Sequence, residues 1–422
     1  MALSTEVHLA QPAVAARADR RSGAAIGRLT FLGMVLALCS GLFVFYAFYA
    51  GKGLGGSDWQ TFYQAAERWR DGRQIFTVKD GFFSPPPFLL VVRAFLVLPY
   101  MPSRIVWGSL SALMLLLAAR QTAQALGWQP AGRTRFLVAW WILCATPTVL
   151  LCPLTGNTSA VVVLAYALAF QLFGQRRDGA AGAVLALTLI KPQLAICTLP
   201  LLLYKRRRRA AVGYLAVVLA ALAISLPVLG LQNYRDYLSV QRRISGWVFT
   251  NDPLQVDVPG IHGLFLQHWP HSHAADLAAT AIGGLFVLAL AWYWRGPWRP
   301  DSARFAAGWG LLIAVSLLIV SWAHSYDDVV LIVPALILYV LARRPGAPPV
   351  ARWAVPALVA LYAAPVLVLL IHQHFMVPAL LALCGLLAVL GGRGTVATQR
   401  ARTPVPARRA HPREMAAVGE SA

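Results

Sequence analysis

Charge is what this sequence has least of. Charged residues make up 13% of its 422 positions, against about 25% in a soluble domain. That is too few to clothe a water-facing surface, so a soluble globule of this length is excluded. Acids are scarcer still: Asp and Glu total 16 against 37 Lys and Arg, a formal net charge of +21. The five cysteines (Cys39, Cys144, Cys152, Cys197 and Cys384) lie in or beside apolar runs, without C-x-x-C or metal-ligand spacing. They read as small apolar packing residues. No P-loop, no Rossmann strand–glycine–helix unit and no G-x-S-x-G motif is present, so an ATP or nucleotide-sugar site has no support. Alternating ten-residue strands are also missing, which argues against a membrane β-barrel.

Apolar residues are abundant, at 58% of the chain. A bilayer core is roughly 30 Å thick and needs about 20 apolar residues to cross as helix. Segments 29–50, 105–126, 210–231, 274–294, 305–322 and 354–371 meet that need, and 136–152, 159–173, 329–341 and 376–390 are shorter candidates. Without water in the hydrocarbon core the backbone must bond to itself, which in such runs means helix. The expected fold is therefore an all-α polytopic membrane protein with about ten full crossings, plus short or broken segments. Segment 29–50 has a basic flank but is too long for a signal-peptide core, so it is expected to stay as the first helix. Residues 1–28 read as a basic cytoplasmic N-terminus, 29–391 as a single membrane domain, and the Ala/Arg/Pro-rich 392–422 as a disordered basic tail.

The net charge invites a nucleic-acid reading, but position opposes it. The basic clusters (17–28, 133–135, 176–177, 205–209, 295–304, 343–352 and 393–413) sit at segment ends, where the positive-inside rule places them. Putting each cluster in the cytoplasm sends loops 51–87 and 232–273 outside. Segment 88–100 is short, carries Arg93 and is bounded by prolines, which suits a half-membrane or interfacial excursion. Segment 179–204 has basic flanks at both ends and Lys191-Pro192 in its middle. A pair of half-helices broken there keeps both flanks inside, because Pro192 removes a helix hydrogen bond and disfavours helix at Lys191.

Polar residues then collect on the outer face. Trp59, Phe62, Tyr63, Ala66 and Trp69 recur at helical spacing after Asp58. They predict an amphipathic helix in the interface with its aromatic face towards lipid. Asp58 suits a general base. Alternatively, Ser57 or Asp58 is only that helix's N-cap. Ser321-Trp-Ala-His-Ser-Tyr-Asp-Asp328 puts His324, Tyr326, Asp327 and Asp328 beside an apolar run, which is costly without a use. Its structural alternative is a capping role. Lys191 lies in an otherwise uncharged run and is expected to meet an anion, either a lipid phosphate or a carboxylate. Thr155-Gly-Asn-Thr-Ser159 is a polar turn on the outer side, and its Asn157 opens a sequon. His262, His268, His271 and His273, with Asp252 and Asp257, match no strong metal-ligand motif.

These stretches together resemble glycosyltransferase family 87, membrane mannosyltransferases of the GT-C type that use polyprenyl-phosphate sugars. The resemblance lies in Ser57-Asp-Trp-Gln-Thr-Phe-Tyr-Gln-Ala-Ala66, Phe83-Ser-Pro-Pro-Pro-Phe88, Gly182-Ala-Val-Leu-Ala-Leu-Thr-Leu-Ile-Lys-Pro-Gln193 and His324-Ser-Tyr-Asp-Asp328, in that order. The family's Gly-Gln-x-Asn turn is replaced here by Thr155-Gly-Asn-Thr158. The resemblance implies a GT-C-like fold. It also implies transfer of a hexose, mannose by analogy, from a polyprenyl-phosphate donor to a lipid or glycan hydroxyl at the outer face of a bacterial cytoplasmic membrane. Asp58 would be the catalytic base, with His324, Lys191, Tyr63, Tyr326, Asp327 and Asn157 as substrate-binding candidates. No cofactor or metal is implied, and the partners are the two substrates and membrane lipids rather than nucleic acid. The competing class is a secondary transporter or lipid flippase, which broken helices and a deep lysine also suit. Such a protein places its ionisable groups near the midplane in related halves, whereas here they gather at one interface.

Overall fold

The computed structural model describes residues 58–78, 80–129, 132, 152–251, 258–270, 272–321, 323–371 and 376–392. The expected first helix 29–50, most of segment 136–152 and both basic termini lie outside these residues. Every regular element among the described residues is helical. In order they are α1 (Asp58–Arg70), α2 (Pro86–Ala94), α3 (Tyr100–Ala125), α4 (Ser159–Gly174), α5 (Asp178–Leu185), α6 (Thr198–Tyr204), α7 (Arg208–Leu229), α8 (Leu231–Asn251), α9 (Ile261–His268), α10 (His273–Tyr293), α11 (Ala303–Ile319), α12 (Ile332–Ala342), α13 (Ala354–Ile371) and α14 (Met376–Gly392). Short 3-10 turns join several of them. Among the described residues, α3, α7 and α10 are long and apolar enough to cross a membrane. The chain is an all-α polytopic membrane protein.

Segment 88–100 forms α2 and a 3-10 turn, Phe95–Val97. Pro99 then caps a helix that starts at Tyr100, five residues before the expected 105, because Pro102 falls in the first turn, where no N–H is needed. Loop 232–273 holds α8 and α9.

Segment 179–204 breaks where proline predicts. α5 tightens into a 3-10 turn ending at Ile190, Lys191 leaves helical geometry at φ −130° and ψ 80°, and a second turn begins at Pro192. The chain then returns as α6. Asp178 at the start of α5 pairs with Arg207 just after α6, so the two ends of this hairpin sit at one level. Lys205 donates there to the carbonyls of Trp294 (2.8 Å) and Gly296 (2.6 Å). The end of α4 arrives at the same level, with Phe173 edge-on to Trp298 at 5.1 Å. The hairpin tip, by contrast, reaches Asp327 near the start of α12. The molecule thus has two ends: an aromatic and basic one, and an opposite one that collects Asp58, Asn157, Lys191 and Asp327.

In lipid no hydrophobic drive pulls helices together, so close packing of small residues does it. α5 lies against α7 through Gly179, Gly182, Ala210 and Gly213. A Cβ at Gly182 would overlap the Ala210 backbone, and one at Gly213 the Gly179 carbonyl. The returning leg is tied to α4 by Tyr166, whose hydroxyl donates to the Leu194 carbonyl (2.7 Å) and meets Thr198 Oγ1 at 3.0 Å. Trp309 in turn donates its indole N–H to the Tyr166 carbonyl (3.2 Å). A valine at Gly182 is therefore expected to push α5 off α7 and lower the melting temperature in detergent, at an overpacking cost of about 1–3 kcal/mol. Gly284→Val on α10, where nothing lies within 4 Å of the added Cβ, should melt like the parent.

Candidate active site

The site begins with one tryptophan. Trp59, fully buried, stacks on Trp107 of α3 at 4.9 Å and 15°, and meets Phe62 and Phe95 edge-on. Its indole N–H donates to Ser103 Oγ (3.0 Å), and Ser103 Oγ donates to the Tyr100 carbonyl (2.7 Å). The aromatic face of α1 is thus inside the protein, packed on α2 and α3. This corrects the expectation that it faces lipid. Helical spacing of aromatics shows that one face is apolar, but not whether protein or lipid covers it.

Trp59 fixes the neighbouring Asp58 against the turn before α4. Gly156 sits directly on Trp59, where any Cβ would overlap that of the tryptophan, and its φ of +72° favours glycine. Trp107 donates its indole N–H to the Gly156 carbonyl (2.9 Å). One residue further on, Asn157 is fully buried and donates from Nδ2 to the Asp58 carboxylate. Its Oδ1 accepts from the Ser159 N–H at 2.7 Å.

Ser159 carries the network onward, donating from Oγ to Asp327 Oδ1 at 2.5 Å. Asp327, 1% exposed, lies in the 3-10 turn Ser325–Leu331. It accepts from Lys191 Nζ at the hairpin tip and from the His324 backbone N–H at 3.3 Å. Lys191 Nζ also lies 5.1 Å from the Tyr326 ring centroid, and that ring is 5.1 Å from the His324 ring. Asp58, Asn157, Lys191, His324, Tyr326 and Asp327 therefore form one cluster drawn from four separate stretches. Tyr63 is turned elsewhere: its hydroxyl donates to the Leu98 carbonyl (2.9 Å) and its ring meets Tyr100. Asp252, Asp257 and His271 lie outside the described residues.

The contacts that position the cluster are Ser159, Gly156, Trp107 and Ser103. Ser159 stood in the Thr-Gly-Asn-Thr-Ser stretch without a mark of its own. Trp107 looked like any aromatic in an apolar run.

Asp58 is half-buried. Loss of water raises its pKa above the ordinary carboxylate value, opposed by the charge of Lys191, the Asn157 hydrogen bond and His324, and assisted by Asp327. A carboxylate made more basic by burial and aimed by an amide is equipped to accept a proton.

Two outcomes follow. A step that needs ionised Asp58 must fail as pH falls through its raised pKa, so the acid limb of a pH–rate profile should lie above the ordinary range near pH 4. A limb at or below that range would contradict it. Lys191→Met leaves Asp327 buried without its cation and should destabilise the fold by about 3–5 kcal/mol, with Lys191→Met/Asp327→Leu recovering part of the loss. Thermal melting of the single and double variants in detergent measures this.

Residues 82–321, more than half of the chain, match the family model of glycosyltransferase family 87. No curated protein and no solved structure gives a match.

Proposed function

Because this chain belongs to glycosyltransferase family 87, and is thus a membrane glycosyltransferase, we propose that it transfers a hexose from a polyprenyl-phosphate donor to a hydroxyl of a lipid or glycan. Mannose is the sugar favoured by family analogy. The reaction takes place at the outer face of a bacterial cytoplasmic membrane, the side opposite the Arg207 and Lys205 end of the molecule. The observation that carries this reading is the Asp58 carboxylate, held by Asn157 within one network that also contains Lys191 and Asp327.

The chemistry needs few groups. The acceptor oxygen attacks the anomeric carbon while Asp58 takes its proton. The bond from that carbon to the phosphate oxygen breaks, and its electron pair leaves with polyprenyl phosphate. Attack opposite the leaving group inverts the anomeric configuration. The diester donor carries one negative charge, and the departing monoester gains a second. Lys191 is the cation in the network and would stabilise the growing charge, where a preorganised charge acts most strongly. Its pairing with Asp327 keeps the lysine ordered before substrate arrives. His324 and Tyr326, whose rings lie 5.1 Å apart beside it, would line the donor side.

Membranes containing the protein, supplied with labelled polyprenyl-phosphomannose and an extract of membrane lipids and glycans, should form a new glycosylated product. Asp58→Asn should lower its rate by about 10²–10⁴-fold at equal protein level, the usual contribution of a general base. An Asp58→Asn rate equal to wild type would sink the assignment. Movement of label across sealed vesicles without a glycosylated product would favour the transporter reading instead.

A further inference from the structure

The turn before α4 reaches both carboxylates of the site. Asn157 is 0% exposed, and both ends of its amide are engaged by protein. The Ser159 N–H holds Oδ1 at 2.7 Å, so only Nδ2 can face Asp58. The carboxylate therefore always meets a donor, never the amide oxygen. Two residues along, Ser159 Oγ holds Asp327 at 2.5 Å. Gly156 fixes the whole turn against Trp59, with the Trp107 N–H on its carbonyl.

We propose that Asn157 is a positioning residue for Asp58: it occupies one carboxylate oxygen, leaves the other to the acceptor hydroxyl, and favours the ionised carboxylate. This rests on Asp58 being the base. It differs from a substrate contact, because no part of the Asn157 amide is open to a substrate while the turn is intact. Among the described residues, the other charged or titratable groups that bear on Asp58 are Lys191 and Asp327 from the hairpin tip and the 325–331 turn, His324 beside them, and the buried Cys152 thiol just before the Asn157 turn. Trp59 and Gly156 supply apolar cover.

Leucine has nearly the shape of asparagine and no donor. In Asn157→Leu the ionised Asp58 loses its hydrogen bond. The acid limb of the pH–rate profile should move to higher pH by about one unit, a tenfold change in proton affinity. The rate constant at saturation should fall about tenfold or more, because a bond to a charged group is lost. KM for the donor and for the acceptor should stay near wild type. Asn157→Ala, which also removes the donor, should move the limb in the same direction, and it carries the same test if the leucine variant does not fold. A rate loss with the limb unmoved in both variants would reduce Asn157 to a structural role and overturn the proposal. A raised acceptor KM with unchanged saturating rate would overturn it in favour of a substrate contact. Asp58→Asn run alongside separates the two readings. If that variant is inactive and the limb does not move, only the positioning role fails. If it is as active as wild type, the base assignment fails with it.

Discussion

A lysine buried at the tip of an apolar hairpin must find an anion, and much of this site is arranged around how Lys191 finds one. Burying a charged side chain away from water is costly unless it is paired and hydrogen-bonded. The lysine meets that cost through a carboxylate that is itself almost wholly buried, with side-chain exposures of 12% for Lys191 and 2% for Asp327. Such a pair tolerates little error in geometry, since each partner strands the other if it moves. Three features of the fold supply the precision. Pro192 opens the helix so that Lys191 sits at a tip rather than on a helix wall. Tyr166 holds the returning leg. Ser159 and the His324 N–H hold Asp327 through two further hydrogen bonds.

Aromatic rings pack both ends of the molecule, but the groups they hold differ. Away from the site, α5 and α7 approach through glycine and alanine, and the flanks of the hairpin are joined by Asp178–Arg207 and by Lys205 on two carbonyls. Close backbone approach suits helices whose exteriors are covered by lipid, because dispersion and small-residue contact replace the hydrophobic drive. At the site end, Trp59 and Trp107 position the polar groups. Trp59 and Trp107 have few rotatable bonds and each carries an N–H that must be satisfied when buried. Each therefore fixes orientation as well as volume, and Asp58 and Asn157 inherit that order as chain neighbours of Trp59 and Gly156.

Several features were legible in the residues. The break at Lys191-Pro192 follows from backbone sterics, which act locally and need no knowledge of the fold. That both hairpin flanks share one level followed from their charge, and the Asp178–Arg207 pair shows it. Residue type alone marked Asp58, His324, Lys191 and Asp327, because an ionisable group beside an apolar run is expensive wherever it lies. The covering of α1 was not legible, since an aromatic stripe is equally compatible with lipid and with protein. Tyr63 looked like a neighbour of Asp58, but its hydroxyl turns to Leu98.

By itself, then, the sequence determined the solvent of this protein, its all-helical character, the location of the hairpin break and the chemical types available at one end of the bundle. These follow from period, length, charge and proline, all properties of short stretches. Only the tertiary structure decided which anion Lys191 meets, what covers the aromatic face of α1, and that Asn157 turns its amide nitrogen rather than its oxygen to Asp58. Each is a contact between residues far apart in the chain. Its geometry depends on how helices with nearly uniform apolar faces pack, and local pattern leaves that packing open.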